Sequence, residues 1–109
     1  MITVSILYPA RPGARFDFEY YAQRHMPRAV ELLSSSAGYH GVSIERGLGG
    51  AEPGHEATFV AACFYRFTTI EDFLAAFMPH APELQSDIAN YTDIEPLIQF
   101  NEQLTIGAK

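Results

Sequence analysis

Residues 2–9, ITVSILYP, alternate: Ile2, Val4, Ile6 and Tyr8 fall on one side, and Thr3, Ser5 and Leu7 on the other. A period of two marks a β-strand. After the loop ARPGAR the period changes. Phe18, Tyr21, Ala22, His25, Ala29, Leu32 and Leu33 recur at helical spacing, behind Asp17 as an N-cap. Pro27 lacks an N–H and its ring meets the Gln23 carbonyl, so the helix is expected to kink or restart there. SSSAGYHG ends it. GVSIERGL reads as a second strand, with Val42 and Ile44 opposite Ser43 and Glu45. GGAEPGHEA is a Gly- and Pro-rich connection, expected to be exposed. TFVAACFYRF reads as a third strand that is apolar on both sides. Phe59, Ala61, Cys63, Tyr65 and Phe67 oppose Val60, Ala62 and Phe64. Thr69, with Asp72 three residues on, starts a second helix carrying Ile70, Phe73, Leu74 and Phe77. MPHAP interrupts it, Leu84 and Ile88 resume its stripe, and ANYTD turns the chain. EPLIQFNEQL is the last strand, with Pro96 near its start, where a missing donor is tolerated.

The order β-α-β-β-α-β predicts one α+β domain over residues 1–109, with a ferredoxin-like antiparallel sheet and two helices on one face. The other face of such a sheet lies open, and an open face on water should alternate to polar residues. The third strand does not. The expected consequence is a homodimer with its sheets packed face to face.

Composition agrees: 48% of residues are hydrophobic, only 18% are charged, and eight Phe and six Tyr are present. That surplus suits an interface or an aromatic-lined cavity. The net charge of −6 and the scattered seven Lys and Arg argue against a nucleic-acid partner, which needs clustered cations. An RNA-binding sheet is disfavoured for the same reason. Cys63 is the single cysteine, so no intrachain disulfide or multi-cysteine metal site is expected. No apolar run approaches a membrane span and no stretch reads as a signal peptide, so the expected location is cytoplasmic and no membrane partner is expected.

The segments FDFEYYAQRHMP, ERGLGGAEPG, AAFMPHAPEL and DIANYTDIEPLIQ resemble the EthD-like proteins of the dimeric α+β barrel superfamily. The likeness runs from Ile2 to Glu102, and YY…HMP and NYTDIEP are its specific parts. It implies a ferredoxin-like protomer, a homodimer joined through its sheets, and small organic molecules as ligands. The family's namesake belongs to an alkyl-ether degradation system that includes an oxygenase, a further partner the resemblance suggests.

His25 lies four residues after Tyr21 and seven after Phe18 and shares their face; His80 follows Phe77 by three and lies near Leu84. Each helix thus turns one histidine inward beside a proline. A histidine can be a core residue bonded to backbone, or it can wall a pocket and pass a proton with its second nitrogen. His25, His80 and Asp93 are the candidate catalytic residues, with Asp93 in NYTD placed to orient a histidine or to serve as a turn carboxylate. Tyr21, Phe18, Phe77 and Tyr91 are the candidate ligand-binding residues, while Tyr20 is read as packing or surface. Arg46 suits an acidic substrate group or a surface ion pair. His40 and His55 are assigned no role, and Cys63 is read as packing. No metal is expected, because the ligand-type residues lack short spacing, and no nucleotide loop or other cofactor signature is present.

The resulting expectation is a small catabolic or tailoring protein that binds an apolar organic compound between sheet and helices. Its chemistry would be isomerisation, cyclisation or cofactor-independent oxidation, with His25 as acid and base. The rival is a non-catalytic binding or auxiliary protein serving an oxygenase system.

Overall fold

The computed structural model describes residues 1–104. The alternating segment at residues 2–9 forms β1 (Ile2–Pro9). Next come α1 (Phe18–Tyr20), a π-helical turn (Tyr21–His25), α2 (Met26–Leu33), β2 (Tyr39–Arg46) and β3 (Phe59–Phe67). The second helical arm is α3 (Ile70–Phe77), a 3-10 turn (Met78–His80), α4 (Ala81–Asp87) and a second 3-10 turn (Ile88–Asn90), before β4 (Leu97–Glu102). The strands form one antiparallel sheet in the order β2-β3-β1-β4. This is the expected ferredoxin-like α+β protomer. Among the described residues, no helix is long and apolar enough to cross a membrane.

Local chemistry starts each helical arm. The Asp17 carboxylate accepts from the Tyr20 N–H at 3.1 Å. The Thr69 hydroxyl accepts from the Asp72 N–H at 3.0 Å. Both satisfy backbone donors that a helix start leaves over. The break before Pro27 takes a particular form. The Met26 N–H reaches back five residues to the Tyr21 carbonyl, which widens the turn, and α2 restarts with Pro27 in its first turn. An ordinary helix runs ~40° past a full turn at every fourth residue. The wider turn takes back part of that drift, so Tyr21, His25, Ala29 and Leu33 all stay buried. Met26 joins them, while Ala22, expected inward, is exposed.

Val4, Tyr8, Cys63, Tyr65 and Phe67 from the sheet share a single core cluster with Tyr21, Leu33, Phe73 and Leu84 from the helical arms. The register of β3 departs from simple alternation. Tyr8 pairs with Ala61 but Pro9 pairs with Phe59, so Val60 is an extra residue in a bulge. Parity changes there. Val60 packs on the core beside Phe16 and Phe18, and Phe59 joins Leu7, Ala62 and Phe64 on the helix-free face. The expected grouping of Phe59 with Cys63 and Val60 with Phe64 is therefore corrected by the bulge. The helix-free face holds a groove of about 470 Å³ under the segment after β2, and Leu97 beside it is 56% exposed.

Candidate functional site

His25 closes the π turn and points into the space between helices and sheet, 8% exposed. Its Nδ1 lies 2.9 Å from the Asp87 carboxylate at the end of α4. Asp87 is held by three partners. The Tyr20 hydroxyl donates to it at 2.6 Å and the Asn90 amide at 2.8 Å, besides the contact with His25. Partial burial alone would raise its pKa, but the bonds from Tyr20, Asn90 and His25 together hold it below the ordinary carboxylate range. An ionised carboxylate only accepts, so Nδ1 carries the ring proton and donates it to Asp87. The other nitrogen, Nε2, is then the basic one.

Nε2 faces the Tyr91 hydroxyl at 3.5 Å, too far for a strong hydrogen bond, so its lone pair stays usable. The Tyr91 and Tyr8 hydroxyls bond each other at 2.6 Å. Burial pushes the Tyr8 phenol up to about 12 and the Tyr91 phenol up as well, so both keep their protons near neutrality. Tyr91 is positioned from outside its own turn. Its carbonyl accepts from the Asp17 N–H at 2.7 Å, and the Thr92 hydroxyl donates to the Arg15 carbonyl at 2.6 Å. The NYTD turn is thereby clasped to the segment after β1, which also pairs through Phe16 and Thr92.

His25, Tyr8 and Tyr91 line a cavity of about 100 Å³ whose other walls include Ile6, Met26, Tyr65, Phe77 and Leu84. It reaches the edge of β4 at Ile98, which is 56% exposed. Tyr21 also lines it, stacked on His25 with ring centroids 5.9 Å apart. Cys63 lies in the wall, and burial pushes its thiol up to about 12, which leaves it unreactive.

The structure thus brings His25, Tyr21, Tyr91 and Phe77 together and places the other candidates elsewhere. His80 sits half-buried in the 3-10 turn and is not part of the cavity wall. Asp93 does not reach His25. It is exposed, accepts from the Arg15 N–H at 2.9 Å and pairs with Arg11 at 3.3 Å. The Arg15 N–H first, and the Arg11 guanidinium after it, hold its carboxyl below the usual range. Phe18 lies under the Arg46 guanidinium, 4.5 Å from its ring centroid, beside a separate open groove. Arg46 thus makes a cation–π contact with Phe18. Tyr20, read as packing or surface, instead anchors Asp87.

The sequence reading missed Asp87, Asn90 and Tyr8. A signal existed for two of them. Asp87 follows Leu84 by three on the inward stripe, and Tyr8 continues the Val4–Ile6 side of β1. Among the described residues, no group of three His, Cys, Asp or Glu side chains converges as a metal site.

No protein-family model matches the chain, and no curated protein matches it significantly. The solved structure of an EthD-like protein from Ralstonia eutropha JMP134 is 40% identical, with a TM-score of 0.90, over 98% of this chain and 95% of that one. An ethyl tert-butyl ether degradation (EthD) family protein from Bacillus halodurans C-125 shares the fold, with a TM-score of 0.64 at 15% identity, over 95% of this chain and 99% of that one. With 40% identity sustained across nearly its whole length, the chain belongs to the EthD-like family.

Proposed function

We propose that this protein is a small-molecule tailoring enzyme that moves a proton on an apolar organic compound, with His25 as acid and base. The observation that carries this is the His25–Asp87 pair, fixed at 2.9 Å, with the second imidazole nitrogen turned to an apolar cavity. Asp87 orients the ring and stands as a negative charge beside Nδ1 when Nε2 takes a proton. An acid–base residue of this kind contributes about 10²- to 10⁴-fold in rate. Isomerisation needs only this step and its reversal at a second atom; in a cyclisation the enolate carbon adds to a carbonyl carbon of the same molecule, whose oxygen takes the π pair and then the proton. The resemblance to a degradation system with an oxygenase supports a place in catabolism.

The working unit we propose is a homodimer joined through the helix-free sheet faces. Leu7, Phe59, Ala62 and Phe64 support it, as an apolar centre that a lone protomer leaves to water.

The test follows uptake of solvent deuterium into a panel of small carbon acids, charged and neutral. The wild type is expected to exchange at least one of them above background. His25→Gln is expected to lose about 10²-fold or more. Equal rates in both proteins, with binding retained, would make the molecule a binding or auxiliary protein of an oxygenase system instead.

A further inference from the structure

Resting on that reading of the cavity, we propose that its ligand is a neutral, enolisable carbonyl compound whose oxygen is held by the Tyr21 hydroxyl. The polar groups of the cavity do not all have partners. Tyr8 and Tyr91 share one hydrogen bond, the Tyr91 hydroxyl also lies 3.5 Å from His25 Nε2, and His25 Nδ1 is taken by Asp87. The Tyr21 hydroxyl is different. Tyr21 is 1% exposed, and its hydroxyl is the one buried side-chain polar atom without a hydrogen-bond partner among the described residues. The one group near enough to hydrogen-bond it among the described residues is the Cys63 sulfur, a weak acceptor outside good hydrogen-bond geometry, so the hydroxyl has no oxygen or nitrogen partner there. Burial drives the phenol's pKa upward, so the group stays a neutral donor.

Natural proteins rarely leave such a donor orphaned, and a ligand atom is one explanation for an exception. The missing partner is an acceptor, and a carbonyl oxygen fits. Tyr21 and His25 both line the cavity, with their stacked ring centroids 5.9 Å apart, so one carbonyl group and its neighbouring carbon can meet both once the ligand displaces the packing over the Tyr21 hydroxyl. In the reaction, His25 Nε2 takes the proton of that carbon. The C–H electron pair becomes the C=C bond, and the carbonyl π pair moves to the oxygen, where the Tyr21 O–H steadies it. Return of the proton to a different atom completes an isomerisation with no other reactant.

Charge sets the ligand's neutrality. Among the described residues the cavity wall contains no Lys or Arg, and the ionised Asp87 stands directly behind His25. A carboxylate ligand would be buried without a counter-charge.

Phenol is a compact mimic of an enol: its oxygen accepts from Tyr21 while its proton faces Nε2. Toluene keeps the shape without the oxygen, and benzoate adds charge. Binding is read from the His25 ring signals by nuclear magnetic resonance, and affinity by titration. Phenol is expected to bind the wild type about fivefold tighter than toluene, the scale of one neutral hydrogen bond, and benzoate more weakly than phenol. Tyr21→Phe is expected to bind phenol no better than toluene while toluene affinity is kept, which also shows that its cavity is intact. If phenol shifts the His25 signals but binds the wild type no tighter than toluene, or binds Tyr21→Phe as tightly as the wild type, the anchor is overturned and the cavity reading survives. Benzoate binding tighter than phenol overturns the neutral class. If neither phenol nor toluene moves the His25 signals of the wild type, the cavity reading falls and the anchor with it.

Discussion

At the scale of the residue, Asp87 decides which side of the His25 ring can react. Asp87→Asn keeps the shape but offers a neutral amide, so the imidazolium loses its counter-charge. The expected result is a folded protein with a slower proton transfer and a mixed tautomer, visible in the ¹⁵N shifts of the His25 ring. Unchanged shifts would show that Asp87 does not set the tautomer. The same carboxylate ties stability to pH. Its pKa is lowered in the folded protein, so its contribution is complete above the ordinary carboxylate range. The contribution is lost as pH falls through the lowered folded value. Acid titration followed by circular dichroism should therefore show wild type losing stability below about pH 4, and Asp87→Asn losing less there. Tyr21 predicts the opposite kind of change. An unpartnered buried hydroxyl costs ~1–3 kcal/mol, so Tyr21→Phe should stabilise the ligand-free protein by up to that amount in urea unfolding. A destabilised Tyr21→Phe would mean that the hydroxyl has a partner in solution.

At the scale of the element, two irregularities position the site, and each was legible to a different degree. Pro27 announced a break, and the break is there. Its form, a wider turn that keeps His25 on the core side, depends on packing against the sheet, which spacing alone does not carry. The β3 bulge leaves no mark in a strand apolar on both sides, so simple alternation puts Phe59 and Val60 on the wrong faces. Tyr21, Tyr91 and Phe77 were legible because each continues an apolar stripe. Asp87 was not singled out, since an acidic residue near a helix end ordinarily reads as solvated surface. Gly47 allows the bulge. Its N–H donates to the Val60 carbonyl at 2.8 Å, and a Cβ there would press on the Phe59 carbonyl and the Ala57 side chain. Gly47→Ala is accordingly expected to cost roughly 1–3 kcal/mol in urea unfolding, the scale of overpacking. An unchanged midpoint would show that the bulge shifts freely.

At the scale of the whole molecule, the helix-free face predicts association. Phe64→Lys puts a charge among Leu7, Phe59 and Ala62 and should yield monomers by light scattering. A soluble dimer of unchanged mass would place the interface elsewhere. The site itself is assembled from distant parts of the chain: Tyr8 on β1, His25 on the first arm, Asp87 on the second and Tyr91 beyond it. The central strand β1 pairs with β3 and with β4, so Ile2 lies opposite both Phe67 and Glu102. A ribosome adding 5–20 residues per second needs about 5–20 s to travel from the end of β1 to the end of β4. Throughout that interval β1 lacks at least one neighbour, and the unpaired N–H and C=O groups along that edge are available to any other strand nearby. Pairing with β3 leaves that edge open, so truncation before β4 should send the chain into aggregates, read as loss of soluble protein.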